Sequence, residues 1–270
     1  MNAFAAHFSF EFRSGLRNKG LLMLNYLFPL GFYLMVSALM TSLNPYFAPT
    51  LILAMAVFAV LSGAVLGLPN PLVEAREAGV LRSYRVNGVP TLSILVIPAL
   101  TSMLHALIFA AIVVVTAPVL FGAAVPSNWP AFVTILVLTA FTGAGLGLLI
   151  GVISSSSRAT VLWSQLIFLP SMMLGGLMMP SSVLPPTLKP LGMLLPTTYA
   201  MDAFSSLSMN ASATFDPVWS VGILLAGGAL SLGLAIYLYN WDSHNPTGRG
   251  QPALAGLAAL PYVLGALLLA

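Results

Sequence analysis

Residues 131–153 read A-F-V-T-I-L-V-L-T-A-F-T-G-A-G-L-G-L-L-I-G-V-I, without one Asp, Glu, Lys or Arg. At about 1.5 Å per residue, a helix of this length crosses a hydrocarbon core of about 30 Å. The length and the lack of alternating polarity favour a helix over a barrel strand. Gly143, Gly147 and Gly151 recur every four residues and so share one helix face, where a neighbouring backbone can approach closely. The run Gly143-Ala144-Gly145-Leu146-Gly147 has only a superficial likeness to a phosphate loop, since no G-x-x-x-x-G-K-[ST] occurs in the chain.

Five more stretches share this character: 22–40, 50–68, 92–121, 161–179 and 218–239. A seventh, 253–270, is shorter and carries Pro261. The whole chain agrees, with 59% hydrophobic and 6% charged residues over 270 positions and a mean hydropathy of +1.00. So few charges do not cover the surface of a soluble domain. The expected fold is all-α: a polytopic membrane protein with six transmembrane helices and a seventh at the C-terminus. Cysteine is absent, which excludes a disulfide scaffold. Nine basic residues form no dense stripe and imply no nucleic-acid partner.

Basic residues are retained on the cytoplasmic side. With the N-terminus inside, the inner segments hold Arg13, Arg17, Lys19, Arg76, Arg82, Arg85, Arg158 and Arg249, and the outer ones only Lys189. This predicts a multi-pass protein of the cytoplasmic membrane with its N-terminus in the cytoplasm. The first apolar run is too long for a signal peptide, whose apolar region spans about 7–15 residues. Before it, Phe4, Phe8, Phe12 and Leu16 are spaced by four, with His7, Glu11, Arg13, Ser14 and Arg17 on other faces. The spacing predicts an amphipathic helix lying at the inner interface.

The spans hold almost no chemistry. His105 is the sole ionisable Asp, Glu, Lys, Arg or His within them, and packing against a Ser or Thr of a neighbouring helix outweighs proton coupling. No H-E-x-x-H, G-x-S-x-G or carboxylate pair lies in a span, so no catalytic residue and no metal site are expected.

Two connections are richer than turns. Residues 69–90 contain Glu74, Arg76, Glu77, Arg82 and Arg85. Residues 74–78 favour a helical turn that Gly79 breaks, and Val80, Leu81 and Tyr84 offer an apolar edge. Such a makeup suits a short helix docking into another protein's groove, against the plainer reading of a solvated loop. Residues 180–216 contain Pro180, Pro185, Pro186, Pro190 and Pro196. Leu184, Leu188, Leu191 and Leu195 lie at helical spacing, and a second helical piece begins near Thr197 and holds Tyr199, Met201 and Phe204. Too short to cross, these pieces suit outer re-entrant helices between spans five and six.

Over about residues 1–240 the chain resembles the transmembrane subunit of a type-2 ATP-binding cassette (ABC) exporter, the class of drug and polysaccharide export permeases. That family's inner loop reads roughly E-x-x-x-G-T-L-x-x-L, and residues 74–84 (E-A-R-E-A-G-V-L-R-S-Y) are similar to it, with Val80 in place of the common Thr. Its late signature P-x-T/S-Y-A-x-D is similar to Pro196-Thr197-Thr198-Tyr199-Ala200-Met201-Asp202, and the proline-bounded outer segment starts at Pro180.

The resemblance implies an interfacial helix (1–20), a six-helix permease domain (21–240), and a linker with an additional hydrophobic helix (241–270). Glu74, Glu77, Gly79, Leu81, Arg82, Tyr84 and Arg85 would form the coupling helix that contacts a separate ABC ATPase subunit. ATP and Mg would be held by that subunit, with no cofactor on this chain. A second permease would complete the pathway as a homodimer or heterodimer. The implied function is ATP-driven export of a small hydrophobic or drug-like compound, such as multidrug efflux. The alternative from another class is a polytopic membrane enzyme or assembly factor acting on lipid.

Overall fold

The computed structural model describes residues 3–43, 47–178, 184–241 and 250–269. Among them every regular element is helical. Helix α1 (Ala3–Arg17) is followed by α2 (Lys19–Leu22), a π-helical turn (Met23–Leu27) and α3 (Phe28–Leu43), which together make the first span. The second span comprises α4 (Leu51–Val60), a π-helical stretch (Leu61–Gly67) and α5 (Pro69–Glu77). A short α6 (Val80–Val86) precedes the long α7 (Thr91–Phe121), and α8 (Trp129–Ile153) and α9 (Ser157–Leu174) follow. Then come a single turn, α10 (Lys189–Gly192), and α11 (Pro196–Ala203), which continues as a π-helical turn (Phe204–Ser208). The chain ends with α12 (Pro217–Leu238), a 3-10 stretch (Pro252–Ala259) and α13 (Leu260–Leu269).

Among the described residues six helices are long and apolar enough to cross a membrane: Lys19–Thr41, Ala48–Glu77, Thr91–Phe121, Trp129–Ile153, Pro217–Leu238 and Pro252–Leu269. The polytopic all-α class therefore holds, with one change in membership. The expected fifth span, 161–179, is helical over Ser157–Leu174, and Arg158, Ser164 and Gln165 dilute its apolar content. Gly175 and the left-handed Gly176 (φ 86°) follow its end. It still turns Leu162, Leu166, Leu169 and Met173 outward, as a lipid-facing stripe requires.

The second span is the hub. Every residue of α4 is buried, because α7, α8, α11 and the first span enclose it. Small residues on α8 allow the closest approach: a Cβ on Gly143 would lie 2.6 Å from Val60 Cγ1, and one on Gly147 would collide with the Ala64 carbonyl oxygen. On another face of α8, a Cβ on Gly145 would lie 2.8 Å from the Gly228 carbonyl oxygen of α12. The glycine pattern of residues 131–153 thus serves helix packing, as the sequence implied.

The C-terminal helix belongs to this bundle. At the end that carries residues 69–90, Ala258 joins Leu68, Leu81 and Leu238 in one apolar cluster. At the opposite end Leu269 reaches Leu184 and Phe215. Residues 252–269 therefore run the height of the bundle, packed against α12.

Two expectations need correction. The leucine spacing of 184–195 yields one helical turn, α10, because Pro185, Pro186 and Pro190 remove backbone donors there. Helix α1 does not simply lay its phenylalanine stripe on the interface. Its bundle-facing side is formed by His7, Phe8, Glu11, Phe12 and the buried Gly15, while Phe4, Phe10 and Leu16 are exposed.

Candidate functional site

The 69–90 connection is continuous with the hub. Helix α5 carries the second span onward to Glu77, and a left-handed Gly79 (φ 74°) then redirects the chain into α6. A left-handed turn of this kind suits glycine, which has no Cβ to clash. Side chains at the base of α5 clamp it to its neighbours. Arg76 donates from Nη1 to the Val152 carbonyl at 3.0 Å and from Nη2 to the Ser154 carbonyl, closing the C-terminal end of α8. Thr160 Oγ1 of α9 donates to Asn70 Oδ1 at 3.4 Å, and Asn70 Nδ2 donates to Glu74 Oε1 at 2.5 Å. Arg76 therefore does more than orient the loop, a role that only the position of the α8 end discloses.

Of the seven residues read as the coupling surface, Gly79 forms the turn and the other six divide into two groups. Glu74, Glu77, Arg82 and Arg85 are exposed, with Val86 beside them 82% exposed. Leu81 is 2% exposed and packs inside the chain with Leu68, Leu95 and Leu148. Tyr84 also turns inward, edge-on to His7 with ring centroids 6.2 Å apart. The apolar anchor expected from Leu81 and Tyr84 is thus used within the bundle, and the exposed face combines four charged side chains with Val80 and Val86.

Behind α6 lies a cavity of about 130 Å³ between α1, the first two spans and α7. His7, Glu11, Asn25, Tyr84, Ser102 and His105 line it together with apolar residues. His105 is buried, with Tyr26 Oη 2.7 Å from its Nδ1 and Phe12 stacked on its ring at 4.9 Å. Its polar partner is a tyrosine, where the sequence suggested Ser or Thr. Burial pushes the Glu11 carboxyl above the ordinary carboxylate range, and His7 opposes the effect.

At the far end, Asp202 is buried and fully engaged. Its Oδ1 accepts from the backbone N–H groups of Thr214 (2.6 Å) and Phe215 (3.4 Å), and its Oδ2 from Ser220 Oγ (2.8 Å). It ties α11 to the start of α12. Tyr199 is fully buried and donates to the Met193 carbonyl at 2.8 Å, while Pro196 opens α11. Pro180 lies outside the described residues. Among the described residues no three His, Asp or Glu are grouped as a metal site needs.

The arrangement is one of mechanical connection: one end exposes a charged helix joined to the hub, and the other is braced by a buried carboxylate. The family model of the ABC-2 type transporter matches residues 2–209. This chain belongs to the ABC-2 type transporter family. No curated protein and no solved structure matches it. As an ABC-2 transporter it is a multi-pass transmembrane subunit, of a kind that associates with an ABC ATPase. Within the ABC-2 match fall the 69–90 element and Asp202 itself, while the three groups that donate to its carboxylate, on Thr214, Phe215 and Ser220, lie beyond it with α12 and α13.

Proposed function

We propose that this chain is the permease of an ATP-driven exporter in the cytoplasmic membrane, with its N-terminus in the cytoplasm and no chemistry of its own. The observation that carries this reading is the continuity of the hub helix into the exposed α5–α6 element, which Arg76 fixes to α8. A push or pull on Glu77, Arg82 and Arg85 by an ATPase subunit is passed to a helix that touches most of the bundle. Two permeases, identical or related, would form the pathway between them, and the abundance of apolar side chains suits a small hydrophobic substrate. The eight-to-one distribution of basic residues supports the orientation.

Isolation of the tagged chain from native membranes tests this reading. An ATPase carrying a G-x-x-x-x-G-K-[ST] loop should co-purify, and its turnover should rise in the complex. Glu77→Lys or Arg85→Glu should weaken that association by placing like charges together, with insertion unaltered. A chain that hydrolyses ATP alone, or a complex indifferent to both substitutions, would refute it.

A further inference from the structure

The cavity behind α6 contains polar groups that no helix contact uses. Among the described residues the electrostatic partner of the Glu11 carboxylate is His7, one turn earlier on α1. Asn25 Oδ1 and Ser102 Oγ are buried and have no hydrogen-bond partner among the described residues, and both residues are more than nine-tenths buried. The two oxygens converge on Gly63, where an added Cβ would lie 2.6 Å from Asn25 Oδ1 and 3.8 Å from Ser102 Oγ. An unpartnered buried acceptor is costly. Two such groups on one cavity, with the Glu11 carboxyl on its wall, are expensive unless something occupies it.

The missing partner is defined by what these groups lack. A carboxylate and an amide oxygen only accept, and a serine hydroxyl accepts as well as donates, so an occupant that donates serves all three, and the carboxylate favours a positive charge. A hard metal ion needs six or more oxygens. Here the remaining walls are apolar side chains, the Thr101 side chain and the rings of His7, Tyr84 and His105, a setting with too few oxygens for such an ion and with aromatic faces that suit an organic cation. We propose that the cavity binds the ammonium group of an amphiphilic amine, with Glu11 as counter-charge and Asn25 Oδ1 and Ser102 Oγ as acceptors. Helix α1 forms the entrance from the interface, where its exposed Phe4, Phe10 and Leu16 meet lipid. That this amine is the exported compound rests on the permease reading above; the binding does not.

The probe is benzylammonium, with benzyl alcohol as its uncharged counterpart and sodium chloride as the metal-cation control. Thermal unfolding of the purified chain in lipid nanodiscs should shift upward saturably with benzylammonium, because a ligand of the folded state stabilises it by mass action. Neither control should do so. Half-saturation should rise at least tenfold in Glu11→Gln and Asn25→Leu and about threefold in Ser102→Ala, the last removing one oxygen only. Equal shifts with the alcohol or with sodium, or an unchanged midpoint in all three variants, would overturn the site. If benzylammonium binds but leaves ATPase turnover of the assembled complex untouched, the amine is a ligand and its assignment as substrate fails.

Discussion

Arg76 Nη1 stands 3.0 Å from the Val152 carbonyl oxygen, so the last turn of α8 is closed by a side chain that lies 76 residues earlier in the chain. Charge-assisted bonds of this kind contribute about 1.5–3 kcal/mol each. Arg76→Ala should therefore lower the stability of the permease by about 2 kcal/mol and blunt its effect on ATPase turnover. Arg76→Lys keeps the charge but not the planar fork, and should recover only part of both. Thermal unfolding and ATPase assays on equal amounts of assembled complex check this.

Asp202 predicts a graded series at the other end. Asp202→Ala strands two backbone N–H groups and the Ser220 hydroxyl, and should cost about 3 kcal/mol. Ser220→Ala removes one donor and should cost about 1 kcal/mol. Asp202→Asn keeps an oxygen for the backbone donors and should fall between them. Denaturation midpoints in detergent order the three.

The docking of α13 is tested by Gly227 and Tyr262. A Cβ on Gly227 would collide with the Tyr262 hydroxyl and lie 2.6 Å from its Cζ. Gly227→Ala should cost about 1–3 kcal/mol and expose residues 250–269 to protease. Tyr262→Phe should be neutral or slightly stabilising, since the buried Tyr262 hydroxyl has no partner among the described residues.

Glu11 gives a pH signature. Its carboxyl is held above the ordinary range by burial, so the folded state keeps the proton more tightly than the unfolded chain. Stability is thus lost as pH rises from the ordinary carboxylate value through the raised one. Glu11→Gln should leave the melting temperature unchanged at pH 4 and raise it at pH 7.5. The titratable groups on the same cavity are His7, Tyr84 and His105, so His7→Gln serves as the control for the contribution of His7.

Much of the bundle was legible in the sequence because lipid imposes length and apolarity on each crossing. The break at Gly79 and the small-residue face of residues 143–151 were legible for similar local reasons. What the sequence obscured depends on neighbours distant in the chain. Leu81 looks available until Leu68 and Leu148 close over it. His7 and Glu11 look like the wet side of an amphipathic helix until α7 is placed against them. Arg76 reads as a topology signal because the α8 end it closes is fixed only in three dimensions. Apolar counting also ranked 161–179 above 253–270, although of these two it is the C-terminal helix that has the length and apolarity of a crossing.

The second span, the most apolar of the six and the most enclosed, has a consequence for biogenesis. During synthesis α4 enters the bilayer before α7 and α8 exist, so surfaces that end against protein must first be wetted by acyl chains. Its uninterrupted hydrophobicity answers to that early stage, for lipid and helix neighbours accept the same side chains. The later helices then displace lipid from it, and the notches at Gly143 and Gly147 set where they come to rest. A bulky residue at either glycine should therefore leave targeting and insertion intact and arrest the protein at the assembly that follows.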